Sequence, residues 1–269
     1  MKQKMLILLN IVSLIGIVMF FGGCFDDCDN VKNKNIILLV DISDNQLLNA
    51  IKSDLEKNSS NLFAVTGVNS LNACEEYSLS IAKICSDDAL DIKKETIRIE
   101  KKYQSRRMER EQSNLAPIIS LIKGNVLSYT SLSNSPEVTS KSYIANVLAK
   151  AINTCDKNNI NTIFLFSDLI ENDQYISFYR QIPSTKVDIK NSITRLIDPD
   201  IYCILKTKIN GGLNPEIVLV MKSNSNNIDR VKLKTYWQEF FGELQLKNVK
   251  IVDNLSYINA STRIDSAIK

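Results

Sequence analysis

Ile36-Ile37-Leu38-Leu39-Val40-Asp41-Ile42-Ser43-Asp44-Asn45 is the stretch that decides how this chain folds. Its apolar run is unbroken from Ile36 to Val40 and stops at Asp41. A continuous run of this kind reads as a strand buried on both faces, the signature of a parallel sheet. Asp41, Ser43, Asp44 and Asn45 then crowd oxygen-bearing side chains into one loop, and Leu47, Leu48, Ile51 and Leu55 follow at helical spacing. A buried parallel strand ending this way places its acid at the carboxyl edge of the sheet, where open α/β folds bind ligands. Oxygen donors at alternate loop positions suit a hard divalent cation such as Mg²⁺. A plain helix N-cap, with Asp44 or Ser43 accepting backbone N–H bonds, accounts for the same residues without a ligand.

Upstream, residues 1–23 have the order of an export leader: Lys2 and Lys4, an apolar Met5–Phe21, then Gly22-Gly23 before Cys24. This looks like a bacterial lipoprotein signal, which implies cleavage before Cys24 and acylation of its thiol. An uncleaved membrane anchor is the alternative, because about 20 apolar residues can span a bilayer. Both readings put the rest of the chain in the cell envelope, outside the cytoplasm and tethered to a membrane. Residues 24–34, with Asp26, Asp27 and Asp29, read as a polar tether.

Downstream, Asn61–Val68 reads as a second strand, and Tyr77–Ile84, alternating apolar with small or polar residues, as a more exposed third. Thr96–Ile99 suits a short strand. Residues 86–128 form an insert, with an exposed, charged helix over Lys101–Gln112 and a helical turn from Pro117 to about Gly124. The insert's Arg106, Arg107 and Arg110 alternate with Glu109 and Glu111, which fits a solvated helix face better than an anion-binding patch. Thr130–Lys141 is loop by composition. Ile144, Val147, Leu148, Ala151 and Ile152 then make one face of a helix. Asn161–Asp168 is a second apolar strand ending in an acid. Ile201–Leu205, Ile217–Met221 and Val249–Val252 read as further strands, and Ile228–Leu244 as a helix whose Leu233, Trp237, Phe240, Phe241 and Leu244 are core. These elements predict one α/β domain over residues 35–255, with a largely parallel sheet covered by helices on both faces, and a tail over 256–269.

Composition narrows the chemistry. Without the leader's two lysines the chain carries 31 basic and 30 acidic residues, a balance that gives no electrostatic footprint for nucleic acid. There is no His, which removes imidazole acid–base catalysis, Ser-His-Asp triads and His-containing zinc sites. None of the six Cys forms a Cys-x-x-Cys pair. Once Cys24 is acylated, Cys28, Cys74, Cys85, Cys155 and Cys203 remain as an odd set, so at least one stays free or pairs outside the chain.

Asp41-x-Ser43-x-Asn45, set directly after the first strand, resembles the opening of the metal-ion-dependent adhesion site in the von Willebrand factor type A family, with Asn where that family has Ser. The resemblance extends in chain order. Ser142 stands where the family's second metal loop carries Thr, with Thr139 as the alternative register. Asp168, in Phe166-Ser167-Asp168-Leu169, stands where its third loop reads Thr/Ser-Asp-Gly, with Leu for Gly. What the resemblance implies is a binding module rather than an enzyme. Mg²⁺ or Mn²⁺ would be held by Asp41, Ser43, Asn45, Ser142 and Asp168 and completed by an acidic residue of a protein partner. Family members that have lost the metal act as scaffolds, which leaves a metal-free envelope lipoprotein open. A phosphoryl-transfer hydrolase of the haloacid dehalogenase type also opens on such an Asp, but it needs a second Asp at position 43, which is Ser.

Overall fold

The computed structural model describes residues 33–43, 45–66, 76–84, 93–98, 141–222 and 228–257, with the side chains of 45, 56, 58–66, 76–77 and 93–98 left outside that description. The expected leader, Cys24, most of the tether, the insert's helices, Thr139 and most of the tail lie outside the described residues.

Six strands form one sheet: β1 (Lys34–Asp41), β2 (Glu76–Ile84), β3 (Lys93–Arg98), β4 (Ile160–Ser167), β5 (Glu216–Met221) and β6 (Val249–Val252). Their spatial order is β3-β2-β1-β4-β5-β6. All neighbours run parallel except β3, which pairs antiparallel with β2 at the edge. Five helices accompany them among the described residues: α1 (Asn45–Thr66), α2 (Ile144–Thr154), α3 (Lys186–Leu196), α4 (Pro199–Asn210) and α5 (Arg230–Glu243). Strand parity divides the core. Ile37, Leu39, Ile163, Leu165, Ile217 and Leu219 face the cluster built with α2, α3, α4 and α5. Their neighbours Leu38, Val40, Phe164 and Phe166 point the other way and are equally buried, and α1 packs on β1 and β4 there. Burial on both faces is why β1, β4 and β5 are nearly all apolar. The fold is a doubly wound α/β domain. Strand order reverses between β1 and β4, and that reversal opens a crevice at their carboxyl ends.

Three expected strands come out differently. Of the expected strand Asn61–Val68, residues 61–66 are helix, the end of α1, and Gly67 and Val68 lie outside the described residues. No Gly or Pro occurs between Asn45 and Thr66, so a helix already nucleated by its buried Leu47, Leu48 and Ile51 propagates across Leu62-Phe63-Ala64-Val65 despite their strand preference. Tyr77–Ile84 is the second strand rather than the third, and it is interior. Leu79, Ile81, Ala82 and Ile84 are buried, and so are Ser78 and Ser80 between them. Ser78 donates its hydroxyl to Asn35 Oδ1 at 2.8 Å, so its alternation reflects small polar residues satisfied inside, not a wet face. Ile201–Leu205 lies in helix α4. Asp198 caps it by accepting from the N–H groups of Asp200 and Ile201, and Pro199 starts its first turn. Ile201, Leu205 and Ile209 pack inward on one stripe while Ile204 is half exposed.

On the α1 face, Lys222 at the end of β5 is ion-paired with Asp54 of α1, both nearly buried. Asp54 also accepts the backbone N–H of Leu255 at 3.3 Å, tying the 3₁₀ turn Leu255–Tyr257 to α1.

Two cysteines are described and both are free, Cys155 buried and Cys203 exposed. Cys28, Cys74 and Cys85 lie outside the described residues. Burial pushes the Cys155 thiol up to about 12, against the pull of nearby Lys208, and only the thiolate is a nucleophile. Iodoacetamide at pH 8 should therefore label Cys203 in the folded protein and Cys155 only after denaturation, read by peptide mass spectrometry. Native labelling of Cys155 at the rate of Cys203 would contradict this packing.

Candidate functional site at the carboxyl edge of the sheet

Asp41 is the last residue of β1 and shares the parity of Ile37 and Leu39, so its side chain turns toward the start of α2. It is fully buried. Oδ1 accepts the backbone N–H of Ser43 at 2.9 Å. Oδ2 accepts hydroxyls from Ser142, before α2, at 3.1 Å and from Ser167, at the end of β4, at 2.6 Å. The Ser43 hydroxyl bonds to it as well. Three separate segments thus meet on one carboxylate. Burial pushes this carboxyl above the ordinary range, while the bonds from Ser167, Ser43 and Ser142 pull it back.

The loop after β4 holds the second half of the site. Leu169 adopts φ 64°, the left-handed region that L side chains avoid. Two contacts hold it there. Its side chain is fully buried, and its carbonyl accepts Trp237 Nε1–H of α5 at 2.9 Å. Ser167 Oγ accepts the N–H of Leu169, and Asp168 Oδ1 accepts the N–H of Ile170 at 3.0 Å. Beyond it, Asn172 and Ser142 exchange two backbone bonds of 2.9 and 3.1 Å, which stitch the loop after β4 to the segment before α2.

Glu171 completes the join. Helix α2 has no side-chain cap from its own Tyr143, and Glu171 Oε2 instead accepts the N–H of Ala145 at 2.9 Å. Glu171 is buried, and desolvation holds its carboxyl well above the usual range; Asp173 and Asp41 push the same way, against the bonds from Ala145 and Ile144. The folded protein therefore keeps this proton at pH values where the unfolded chain, near the ordinary Glu value of about 4.3, has lost it. Stability from this group is complete below that value and declines as pH rises toward the folded value. Glu171→Gln keeps an acceptor for Ala145 and removes the titration. Urea unfolding from pH 5 to pH 8 should show a shallower decline for Glu171→Gln than for the native chain, with a residual slope from Asp41. Parallel curves would remove Glu171 from the account.

Of the predicted ligands, the structure brings Asp41, Ser43 and Ser142 into direct contact. Asp168 sits at the same edge, buried, but turns Oδ1 to its own loop, and Ser167 reaches Asp41 in its place. Asn45 opens α1, and its side chain lies outside the described residues. Ser167 and Glu171 are the site residues that the sequence reading passed over. Ser167 was findable as a hydroxyl residue at the end of a strand beside β1. Glu171 carried no signal, because its partner Ala145 lies in a different segment.

The donor set fits a hard cation in one particular way. Among the described residues no cluster of three His, Cys, Asp or Glu is placed to hold a metal. A carboxylate offers about four lone-pair directions, and those of Asp41 are engaged by protein donors. The hydroxyls that donate to Asp41 keep their own lone pairs, so Ser43 and Ser142 could coordinate while Asp41 supplies negative charge behind them.

Fold and edge together define a doubly wound α/β domain with a polar cluster at its switch point. No family profile matches the sequence, and no curated protein does. Among solved structures, the chain is similar to the pilus adhesin SpaC from Lactobacillus rhamnosus GG in its open conformation, with TM-score 0.40 and 12% identity over 89% of this chain and 30% of that one. A second SpaC crystal form gives 0.41 and 11% over the same shares. The human COPII-coat protein Sec24c gives 0.41 and 11%, over 84% of this chain and 30% of that one. SpaC and Sec24c contain von Willebrand type A-like folds. The chain thus spans 30% of the length of each of these structures. At these scores the likeness carries no functional argument.

Proposed function

We propose that this chain is a von Willebrand type A-like protein-interaction module, tethered to the bacterial envelope membrane through acylated Cys24, that engages an acidic residue of a partner at the carboxyl edge of its sheet. The observation that carries the reading is the gathering of Ser43, Ser142 and Ser167 on buried Asp41 where β1 and β4 diverge. Mg²⁺ or Mn²⁺ bound there supplies a positive charge that a partner carboxylate can complete. Ser43 and Ser142 hold it through hydroxyl oxygens, Asp41 orients those hydroxyls, and the Ser142–Asn172 stitch fixes their spacing. Asn45 and Asp168 belong to the same shell in this reading. The role is binding rather than catalysis.

The test is thermal unfolding and partner capture, each with and without divalent cation. With a dissociation constant near 1 mM, 10 mM Mg²⁺ or Mn²⁺ should stabilise the fold by about 1.4 kcal/mol, a rise of about 3 °C. Asp41→Asn and Ser142→Ala should remove that rise, and chelator should abolish capture. Undiminished capture in chelator, with no thermal shift, supports the second reading, a metal-free scaffold on the same fold. The fully engaged oxygens of Asp41 are the observation that favours it.

A further inference from the structure

Beside the start of α2, the helix layer holds an open cleft of about 480 Å³ between α2, the loop after β4, and the α3–α4 junction. Its floor is Asn146, only 6% exposed. Asn146 Oδ1 accepts the backbone N–H of Asp198 at 3.1 Å. Because that partner is a donor, the orientation of the amide is fixed, and Nδ2 is left as the donor on the cleft side. No acceptor for Nδ2 occurs among the described residues. A donor so nearly buried is costly to leave unmet, and the acceptor it calls for is one that enters the cleft.

The charges around the cleft cancel. Lys150 and Arg195 stand against Asp173 and Asp198, and Lys150 is already engaged by other contacts. Such a balance favours an occupant with no net charge. Both acids are held still by backbone: Asp198 Oδ1 accepts from the N–H groups of Asp200 and Ile201, and Asp173 Oδ1 from those of Tyr175 and Ile176. Each keeps its second oxygen as an open acceptor among the described residues. One fixed amide donor and two fixed carboxylate acceptors, from three separate segments, thus border a single space. A hydroxyl answers both kinds, because it donates and accepts at once, and neighbouring hydroxyls on a ring do so without charge. Fixing the protein's polar atoms beforehand lowers the ordering cost of binding. Tyr143 and Tyr175 also line the cleft and offer aromatic surface to the apolar C–H faces of such a ring. The volume lies in the small-molecule range. An extended peptide, by contrast, spaces its donors and acceptors along a line.

We infer that this cleft binds a neutral pyranose ring of a saccharide. Adjacent hydroxyls of the ring bridge Asn146 Nδ2 and the open oxygens of Asp173 and Asp198, and one ring face lies against Tyr175. The inference rests neither on the cation site nor on the protein partner proposed above. The cleft contains none of the Asp41 cluster and needs no cation.

The test uses the full chain, ¹⁵N-labelled, in a detergent without a sugar head group and with EDTA throughout. The probes are methyl β-D-glucopyranoside, methyl β-D-galactopyranoside and methyl α-D-mannopyranoside. At least one should shift the Asn146 side-chain amide and the Tyr175 backbone N–H and saturate between about 1 and 10 mM, an affinity that a few such bonds can supply. Tetrahydropyran-2-methanol keeps the ring and lacks its vicinal hydroxyls, and it should bind about tenfold more weakly or not at all. Asn146→Asp keeps the acceptor for Asp198 and removes the donor, and it should weaken the sugar about tenfold. Tyr175→Ala should also weaken it, and the Tyr175 side chain is exposed, so the core is untouched. No saturation by any of the three pyranosides, equal binding of tetrahydropyran-2-methanol, or shifts confined to the Asp41 edge would each overturn the assignment. So would tighter binding of the anionic methyl β-D-glucuronide or of the neutral peptide acetyl-Ala-Gln-Ala-amide. Because EDTA is present, loss of the proposed cation site leaves this result unaffected, so the two readings fail separately.

Discussion

Trp237→Ala should cost about 4 kcal/mol in urea unfolding, much of what holds a domain of this size together. Trp237 is fully buried and packs edge-on against Tyr236, Phe178 and Phe240, with ring centroids 5.4, 6.5 and 5.1 Å away. Truncation empties the centre of that cluster. It also strands the Leu169 carbonyl, since the bond from Nε1 is lost in a place water does not reach. Trp237→Phe separates the two effects. It keeps most of the packing and removes only the N–H, so it should cost about 1–3 kcal/mol. If the N–H clamps the left-handed Leu169, hydrogen exchange at residues 168–171 should rise in Trp237→Phe more than elsewhere. A loss under about 0.5 kcal/mol for Trp237→Ala would contradict the buried position of the ring.

The second large effect lies on the opposite face. Asp54→Ala should cost about 3–5 kcal/mol, because it leaves the Lys222 ammonium buried without its counter-charge. The acceptor for Leu255 N–H goes with it. Lys222→Met should be costly for the mirror-image reason. The double variant Asp54→Leu/Lys222→Met should recover most of the loss, since an apolar pair of similar volume dispenses with both desolvation costs. Additive losses in the double variant would mean that each residue acts through other neighbours, and that the pair is not the unit.

The parts of this architecture that were legible in the sequence share one physical cause. β1, β4 and β5 are enclosed on both faces, so their runs are apolar without interruption and end abruptly at polar residues. Helix α2 was equally plain, with one apolar stripe. What escaped was decided elsewhere in the chain. Residues 61–66 prefer strand locally and are helix because α1 reaches them unbroken. Residues 201–205 look like a buried strand unless Asp198-Pro199 is read as a helix start. Helix α3 was not identified, since Ile189, Ile193 and Leu196 give it only a thin apolar stripe in a polar setting. At the edge, the ends of two strands were readable one by one. Their joining was not: the Ser167–Asp41 bond, the Ser142–Asn172 stitch and the reach of Glu171 to Ala145 each span segments that only the sheet order brings together.

Strand β1 also separates two unlike ends of the domain. Lys34 begins the strand and Asp41 ends it, so the point where the chain enters the sheet and the serine-ringed acid lie at opposite poles, about 25 Å apart for eight residues of extended backbone. The entry pole is internally sealed: Asn35 accepts from Ser78 and donates to Asn161, whose own amide is spent on the carbonyls of Asp156 and Asn159. The two ends of this one strand thus differ in kind: at its start the amides satisfy one another, and at its finish hydroxyls from separate segments converge on a single acid.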